Sequence, residues 1–202
     1  MNKKNIAVFA SGNGSNLQAI INAQKKGYIK AKIALLVCDN PGAFALSRAN
    51  QAKIPIALLA PNDFSSRLAY EQCLVKILKK FKIDLIVLAG FMRMLSPYFV
   101  KSFKNKIINI HPALLPAFKG TQGIKDALNY GVKITGVTVH FVDEKMDHGA
   151  IILQQEVTIK SSDTEKSLAA RIHAVEHRIY PQACKLFLGK RLKISGRRVK
   201  II

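Results

Sequence analysis

The sequence predicts an α/β chain built on a doubly wound, mostly parallel sheet with helices on both faces, and three observations predict it. Short apolar runs alternate with amphipathic stretches of helical period along the 202 residues. The runs at residues 6–10 and 84–89 are almost continuously apolar, as strands buried on both faces of a parallel sheet are. The first run passes through a glycine-rich loop straight into a helical pattern, the opening of a right-handed β-α crossover.

After the strand at residues 6–10, Ser15 and Gln18 are spaced as a capping box, so a helix should start at Ser15 and stop near Lys26, where Gly27 supplies a C-terminal signal. Strands follow at 32–37, 55–59 and 84–89, separated by helices at 43–52 and 65–81. Ser96-Pro97 is a cap and first-turn pair for a short helix reaching Phe103. The chain then enters a central strand ending at His111, a loop over 116–120, and a helix over Gly123–Tyr130 that stops at Gly131. Strands at 135–142 and 150–159 flank an acidic loop with a tight-turn glycine, Gly149. Ser162 and Glu165 are spaced as a second capping box, opening a long helix in which Pro181 should cause a kink or break. Residues 191–194 and 198–202 around Ser195-Gly196 suggest a terminal hairpin. No repeat or long linker divides the chain, so one domain over residues 1–202 is expected.

Composition narrows the function. No apolar segment approaches the roughly 20 residues of a membrane span, and the first run is too short for a secretory signal, so a cytoplasmic protein without membrane partners is expected. Cys38, Cys73 and Cys184 are few, distant and without metal-ligand spacing, so neither a disulfide framework nor a metal site is indicated. The net charge of +20 invites a nucleic-acid reading. The basic residues are scattered and no binding signature accompanies them, so nucleic acid is disfavoured and an anionic small substrate is favoured. Monomer and homodimer are both compatible with the sequence.

Two stretches carry chemistry. In Lys106-Ile-Ile-Asn-Ile-His-Pro-Ala-Leu-Leu-Pro116, strand alternation puts Asn109 and His111 on one face and Ile108 and Ile110 on the other. Pro112 and Pro116 keep the exit extended, which fixes where the imidazole points. In Ser11-Gly-Asn-Gly-Ser-Asn-Leu-Gln18, glycines and a helix start suit a single phosphate. Leu17 stands where a dinucleotide fingerprint has its third glycine, and the Gly-Lys-Ser/Thr of a P-loop is missing. By itself this loop fits a plain strand-to-helix turn equally well.

These two stretches, with Leu88-Ala-Gly-Phe-Met-Arg-Met-Leu95 and Asp147-His-Gly-Ala-Ile-Ile-Leu-Gln154, occur in an order that closely resembles the phosphoribosylglycinamide formyltransferase family over about residues 6–192. The resemblance implies a Rossmann-like formyltransferase fold. It also implies transfer of the formyl group of 10-formyltetrahydrofolate to the amine of glycinamide ribonucleotide, a step of de novo purine synthesis. It implies Asn109, His111 and Asp147 as the catalytic residues. Gly14, Ser15, Asn16, Leu17 and Gln18 would hold the ribonucleotide phosphate, completed by His173, Ala174, Val175 and Glu176, with Glu176 on the ribose hydroxyls. Arg67, Met92, Arg93, Met94, Leu95 and Asn109 would line the folate pocket with Asp143, Glu144, Lys145, Met146 and Asp147. Without the neighbouring motifs, Met92, Met94 and Leu95 would read as plain core. Asp147 would favour the imidazolium and raise the His111 pKa. The chain departs from the family at Ala113, where serine is usual, and at Ile124, where histidine is common.

Methionyl-tRNA formyltransferase and formyltetrahydrofolate deformylase share the Asn-x-His-Pro segment but carry further domains for which 202 residues are expected to leave no room. His173-Ala-Val-Glu-His177 matches the His-x-x-Glu-His of inverted zinc peptidases, yet no acid follows Glu176 to supply the third ligand.

Overall fold

The computed structural model describes residues 3–202. They form two compact units, the first ending at Ile108 and the second running from Asn109 to Ile202.

The first unit contains β1 (Lys4–Ala10), α1 (Ser15–Lys25), β2 (Ala31–Cys38), α2 (Phe44–Gln51), β3 (Ile56–Leu58), α3 (Arg67–Lys80), β4 (Leu85–Leu88) and α4 (Pro97–Ser102). β1 pairs in parallel with β2 and with β4, and β2 with β3. All four residues of β4 are buried, as its unbroken apolar run requires. Ser66 and Ser96 cap α3 and α4, their hydroxyl oxygens accepting from Ala69 N and Phe99 N.

α1 begins at Ser15 without the expected capping box. The cap is Gly14 at φ 73°, and no side chain caps the helix. Ser15 is already the first helical residue, and Gln18 turns its side chain to Asn22 and Arg48. The C-terminal end behaves as expected: Gly27, at φ 71°, donates to Gln24 O, and Tyr28 N to Ala23 O.

β5 (Ile107–His111) leads into the second unit, which holds α5 (Gly123–Tyr130), β6 (Ile134–Phe141), β7 (Ile151–Thr158), α6 (Glu165–Leu188), β8 (Leu192–Ser195) and β9 (Arg198–Ile201). The seven principal strands are ordered β3-β2-β1-β4-β5-β6-β7, with β6 and β7 antiparallel. β8 and β9 form the expected terminal hairpin around Gly196, at φ 57°.

One expectation for α6 is corrected. The capping box uses Thr164 and Ser167, each side chain accepting from the other's backbone N–H, whereas Ser162 lies outside the helix. Pro181 causes no break. One lost backbone donor is tolerated because Tyr180, Pro181, Ala183 and Cys184 are all buried on the face that packs this helix. The tight turn of the 143–149 loop also differs: the left-handed residue is Asp147, at φ 47°. Gly149 is required for close approach, since a Cβ there would lie 1.8 Å from Phe141 O.

Candidate active site

The end of β5 carries Asn109 and His111, and β6 and its following loop supply what surrounds them. His111 Nε2 lies 2.8 Å from Phe118 O. A carbonyl only accepts, so Nε2 carries the proton and donates, which leaves Nδ1 facing Asp147 Oδ2 at 3.5 Å. Asp147 is fixed by Gly120 N, which donates to Oδ2 at 2.9 Å. His111 and Asp147, far apart in sequence, therefore meet, and half-buried Asn109 stands two residues before His111 on the same face of β5.

A fourth member escaped the sequence reading. His140 Nδ1 donates to Phe141 O at 2.8 Å. Its Nε2 stands 3.3 Å from Asn109 Nδ2 and 3.7 Å from Asp147 Oδ1. With Nδ1 donating, the bare Nε2 accepts from Asn109 and orients that amide. The available signal was the pair Thr138 and His140, two residues apart in an apolar strand, the same mismatch that marks Asn109 and His111.

Electrostatics modify one expectation. Burial lowers the His111 pKa and outweighs the opposing pull of Asp147 and of the Phe118 carbonyl. Asp147 acts in the expected sense, yet the net shift is downward, so the imidazole is neutral at pH 7. Burial pushes the Asp147 carboxyl up, but the His140 ring, the Gly120 N–H and the His111 charge overcome it and hold the carboxyl below its ordinary value.

In the first unit the 11–18 loop is braced from outside. Asn40 Nδ2 donates to Ser11 O at 3.0 Å, Ala45 N to Gly12 O at 3.1 Å, and Arg48 Nε to Asn13 O at 2.9 Å. Arg48 also reaches Asn13 Oδ1 and Gln18 Oε1, at 3.1 and 3.2 Å. In a trans peptide the C=O and the next N–H point opposite ways, so the amides of Gly12, Asn13 and Gly14 aim away from the bracing segment. Gly14, Asn16 and Leu17 are buried, with Ser15 and Gln18 half-buried.

Among the residues expected around the folate, Arg67 Nη2 donates to Met94 O at 2.6 Å, and Arg93 Nε pairs with Asp39 Oδ2 at 2.9 Å. Met92 and Met94 are 65% and 54% exposed, which rules out plain core packing for them, whereas Leu95 is buried. Met92 N donates to Ser11 Oγ at 3.0 Å. In the second unit, Asp143 accepts from Lys145 N at 3.0 Å and from His148 Nδ1 at 2.6 Å, while Glu144, Lys145 and Met146 are exposed. On α6, His173 and Ala174 are exposed, Val175 is half-buried, and Glu176 is buried, its carboxylate 3.0 Å from His173 Nδ1. That hydrogen bond raises the His173 pKa against the effect of burial.

Ala113 is buried and its carbonyl accepts from Thr138 Oγ1 at 2.7 Å; Ile124 is half-buried on α5. Among the described residues no group of three or more His, Cys, Asp or Glu side chains could hold a metal ion, and no helix is long and apolar enough to cross a membrane.

The sequence profile of the formyl transferase family matches residues 4–184. The chain is 44% identical to phosphoribosylglycinamide formyltransferase of Bacillus subtilis (strain 168), covering 92% of this chain and 95% of that one. Crystalline glycinamide ribonucleotide transformylase 1 from Symbiobacterium toebii is similar with a TM-score of 0.97 at 43% identity, covering 99% of this chain and 94% of that one. The trifunctional purine biosynthetic protein adenosine-3 of Gallus gallus is 45% identical over 96% of this chain, which spans only 19% of its length.

Proposed function

Because the chain belongs to the formyl transferase family, we propose that it transfers the formyl group of 10-formyltetrahydrofolate to the amine of glycinamide ribonucleotide. The products are formylglycinamide ribonucleotide and tetrahydrofolate, and the pathway is de novo purine (IMP) biosynthesis. The observation that carries the reading is the cluster of Asn109, His111 and Asp147, with the Asp147 carboxylate 3.5 Å from the imidazole. Residues 1–202 act as one formyltransferase domain in the cytoplasm, on small-molecule substrates.

The amine attacks the formyl carbon and forms a tetrahedral intermediate with an alkoxide and a protonated amine. Asn109 has a second amide hydrogen beyond the one turned to His140, and it donates this to the developing oxyanion. His111, neutral in the free protein, accepts the surplus amine proton on Nδ1. The resulting imidazolium is stabilised by Asp147. The proton then passes to the folate nitrogen as the carbon–nitrogen bond breaks, which restores the neutral imidazole. In this reading Gly14, Ser15, Asn16, Leu17 and Gln18 take the phosphate. His173, Ala174, Val175 and Glu176 serve the ribose. Arg67, Met92, Arg93, Met94, Leu95, Asn109, Asp143, Glu144, Lys145, Met146 and Asp147 line the folate. The outward-facing amides of the first loop and the exposed Met92 and Met94 side chains support these roles.

Purified protein mixed with glycinamide ribonucleotide and 10-formyltetrahydrofolate should generate the deformylated folate chromophore without added metal. Equal turnover with folate alone would instead establish a deformylase. Tight binding of duplex or single-stranded nucleic acid at physiological salt would revive the nucleic-acid reading.

A further inference from the structure

Glu71 is a charged side chain only 2% exposed, and no step above uses it. In sequence, Arg67 and Glu71 look like an ordinary i, i+4 surface pair on α3. The fold makes the carboxylate something else. A buried carboxylate is costly unless donors surround it, and this one is surrounded. Glu71 Oε1 accepts from Ser96 N at 2.8 Å and from Arg67 Nε at 3.4 Å, and Oε2 accepts from Ser96 Oγ. The same guanidinium donates from Nη2 to Met94 O at 2.6 Å.

One carboxylate thus grips residues 92–95 directly at the following residue, Ser96, and through Arg67 at Met94. With Met94 O engaged by Arg67, the Leu95 N–H of the same peptide plane must point away from Arg67. Met92 and Met94 hold their side chains in solvent, so burial of these two cannot be what fixes the stretch. We propose that Glu71 is a positioning residue for the folate: its carboxylate sets both the backbone of residues 92–95 and the orientation of Arg67. The proposal rests on the assignment of Arg67 and residues 92–95 to the folate wall.

Glu71→Gln tests it, because the amide keeps one acceptor but turns an NH₂ toward donors and removes the charge that holds Arg67. Losing a hydrogen bond to a charged group predicts a folate KM raised about 10- to 100-fold. The ribonucleotide KM, and kcat at saturating folate, should stay within about threefold. If Glu71 merely supported α4, the melting temperature would fall with no selective rise in folate KM, and that result overturns the proposal. Should Glu71→Gln fail to fold, Ser96→Ala decides: a selective folate KM rise supports the proposal and an unchanged KM overturns it. Wild-type protein that shows no transfer would defeat the functional reading alone. Equilibrium dialysis with tetrahydrofolate then decides separately: wild-type binding that is lost in Glu71→Gln sustains the proposal, and wild-type protein that binds no tetrahydrofolate, or a variant that binds it equally well, overturns it.

Discussion

Substituting Gly14 with valine should damage ribonucleotide binding while leaving the folate site intact, and the structure sets the scale. Gly14 has φ 73°, and an added Cβ would sit 2.8 Å from Ala45 Cβ and 2.9 Å from Ala45 Cα. Ordinary carbon contacts lie near 3.5–4.0 Å, so the loop must move from α2 by about 0.7–1.2 Å. Ala45 is fully buried and lies on the helix whose first turn holds Gly12 O, so it has little room to yield. The left-handed backbone costs roughly 1–2 kcal/mol with a Cβ. The clash adds about 1–3 kcal/mol. A total of about 2–5 kcal/mol is survivable against the usual 5–15 kcal/mol of a folded protein. A displacement of about 1 Å in a substrate-positioning loop is worth about 100-fold, so the ribonucleotide KM should rise by that order while the folate KM holds. Steady-state kinetics with each substrate varied in turn, beside thermal melts, reads both effects. Gly12→Ala is the stability control, because a Cβ at that position would meet nothing within 4 Å. Equal loss of both affinities, or a Gly14→Val protein with wild-type ribonucleotide KM, would refute the reasoning.

Asp147→Asn should preserve both KM values and lower kcat about 10²- to 10⁴-fold, the usual worth of a positioned proton-transfer group. Since Asp147 is the largest influence opposing burial at His111, its loss should lower the His111 midpoint further by NMR and move the acid limb of kcat/KM to lower pH; an unmoved titration would separate the two residues. A His111 pKa below 6.5 in the folded state also means that its contribution to stability is lost as pH falls from 6.5 through the folded midpoint, and denaturant titrations from pH 7 to 5 should show that loss shrinking in His111→Ala. The Asn109→Ala, His111→Ala double variant should lose far less than the product of the single losses, because groups acting as a unit are not additive. Glu176→Ala should weaken ribonucleotide binding while α6 persists, alanine being a good helix former, with an unchanged KM as the contrary result. The raised His173 pKa gives stability that is full below 6.5 and lost as pH rises through the folded midpoint; Glu176→Gln should abolish that dependence. Gly149→Ala should destabilise by more than about 3 kcal/mol in a denaturation series, since its Cβ would meet the Phe141 carbonyl at 1.8 Å.

The alternation of strands and helices, the α4 cap at Ser96, the stop at Gly131 and the terminal hairpin were legible in the sequence because each depends on neighbours within a few residues. Asn109 and His111 were legible for a similar reason: strand alternation alone puts them on one face of an apolar run. Where two local solutions compete, spacing was a poor guide. Ser15 and Gln18 have capping-box spacing, but α2 packs so closely on the loop that only glycine fits at position 14, and the cap moved there. Thr164 displaced Ser162 because Ser167, whose hydroxyl donates to Asp163, exchanges reciprocal hydrogen bonds with it. Pro181 left α6 intact because tertiary burial outweighs one missing hydrogen bond. The remaining features depend on residues distant in sequence. Burial, which no local pattern reports, turned the His111 pKa downward against Asp147. It also converted Glu71 from one half of a surface pair into a buried anchor for a loop 25 residues away. Sequence by itself determined which side chains could do chemistry and on which kind of element they stand. Tertiary structure decided their protonation and their partners, because desolvation and hydrogen bonding act through space.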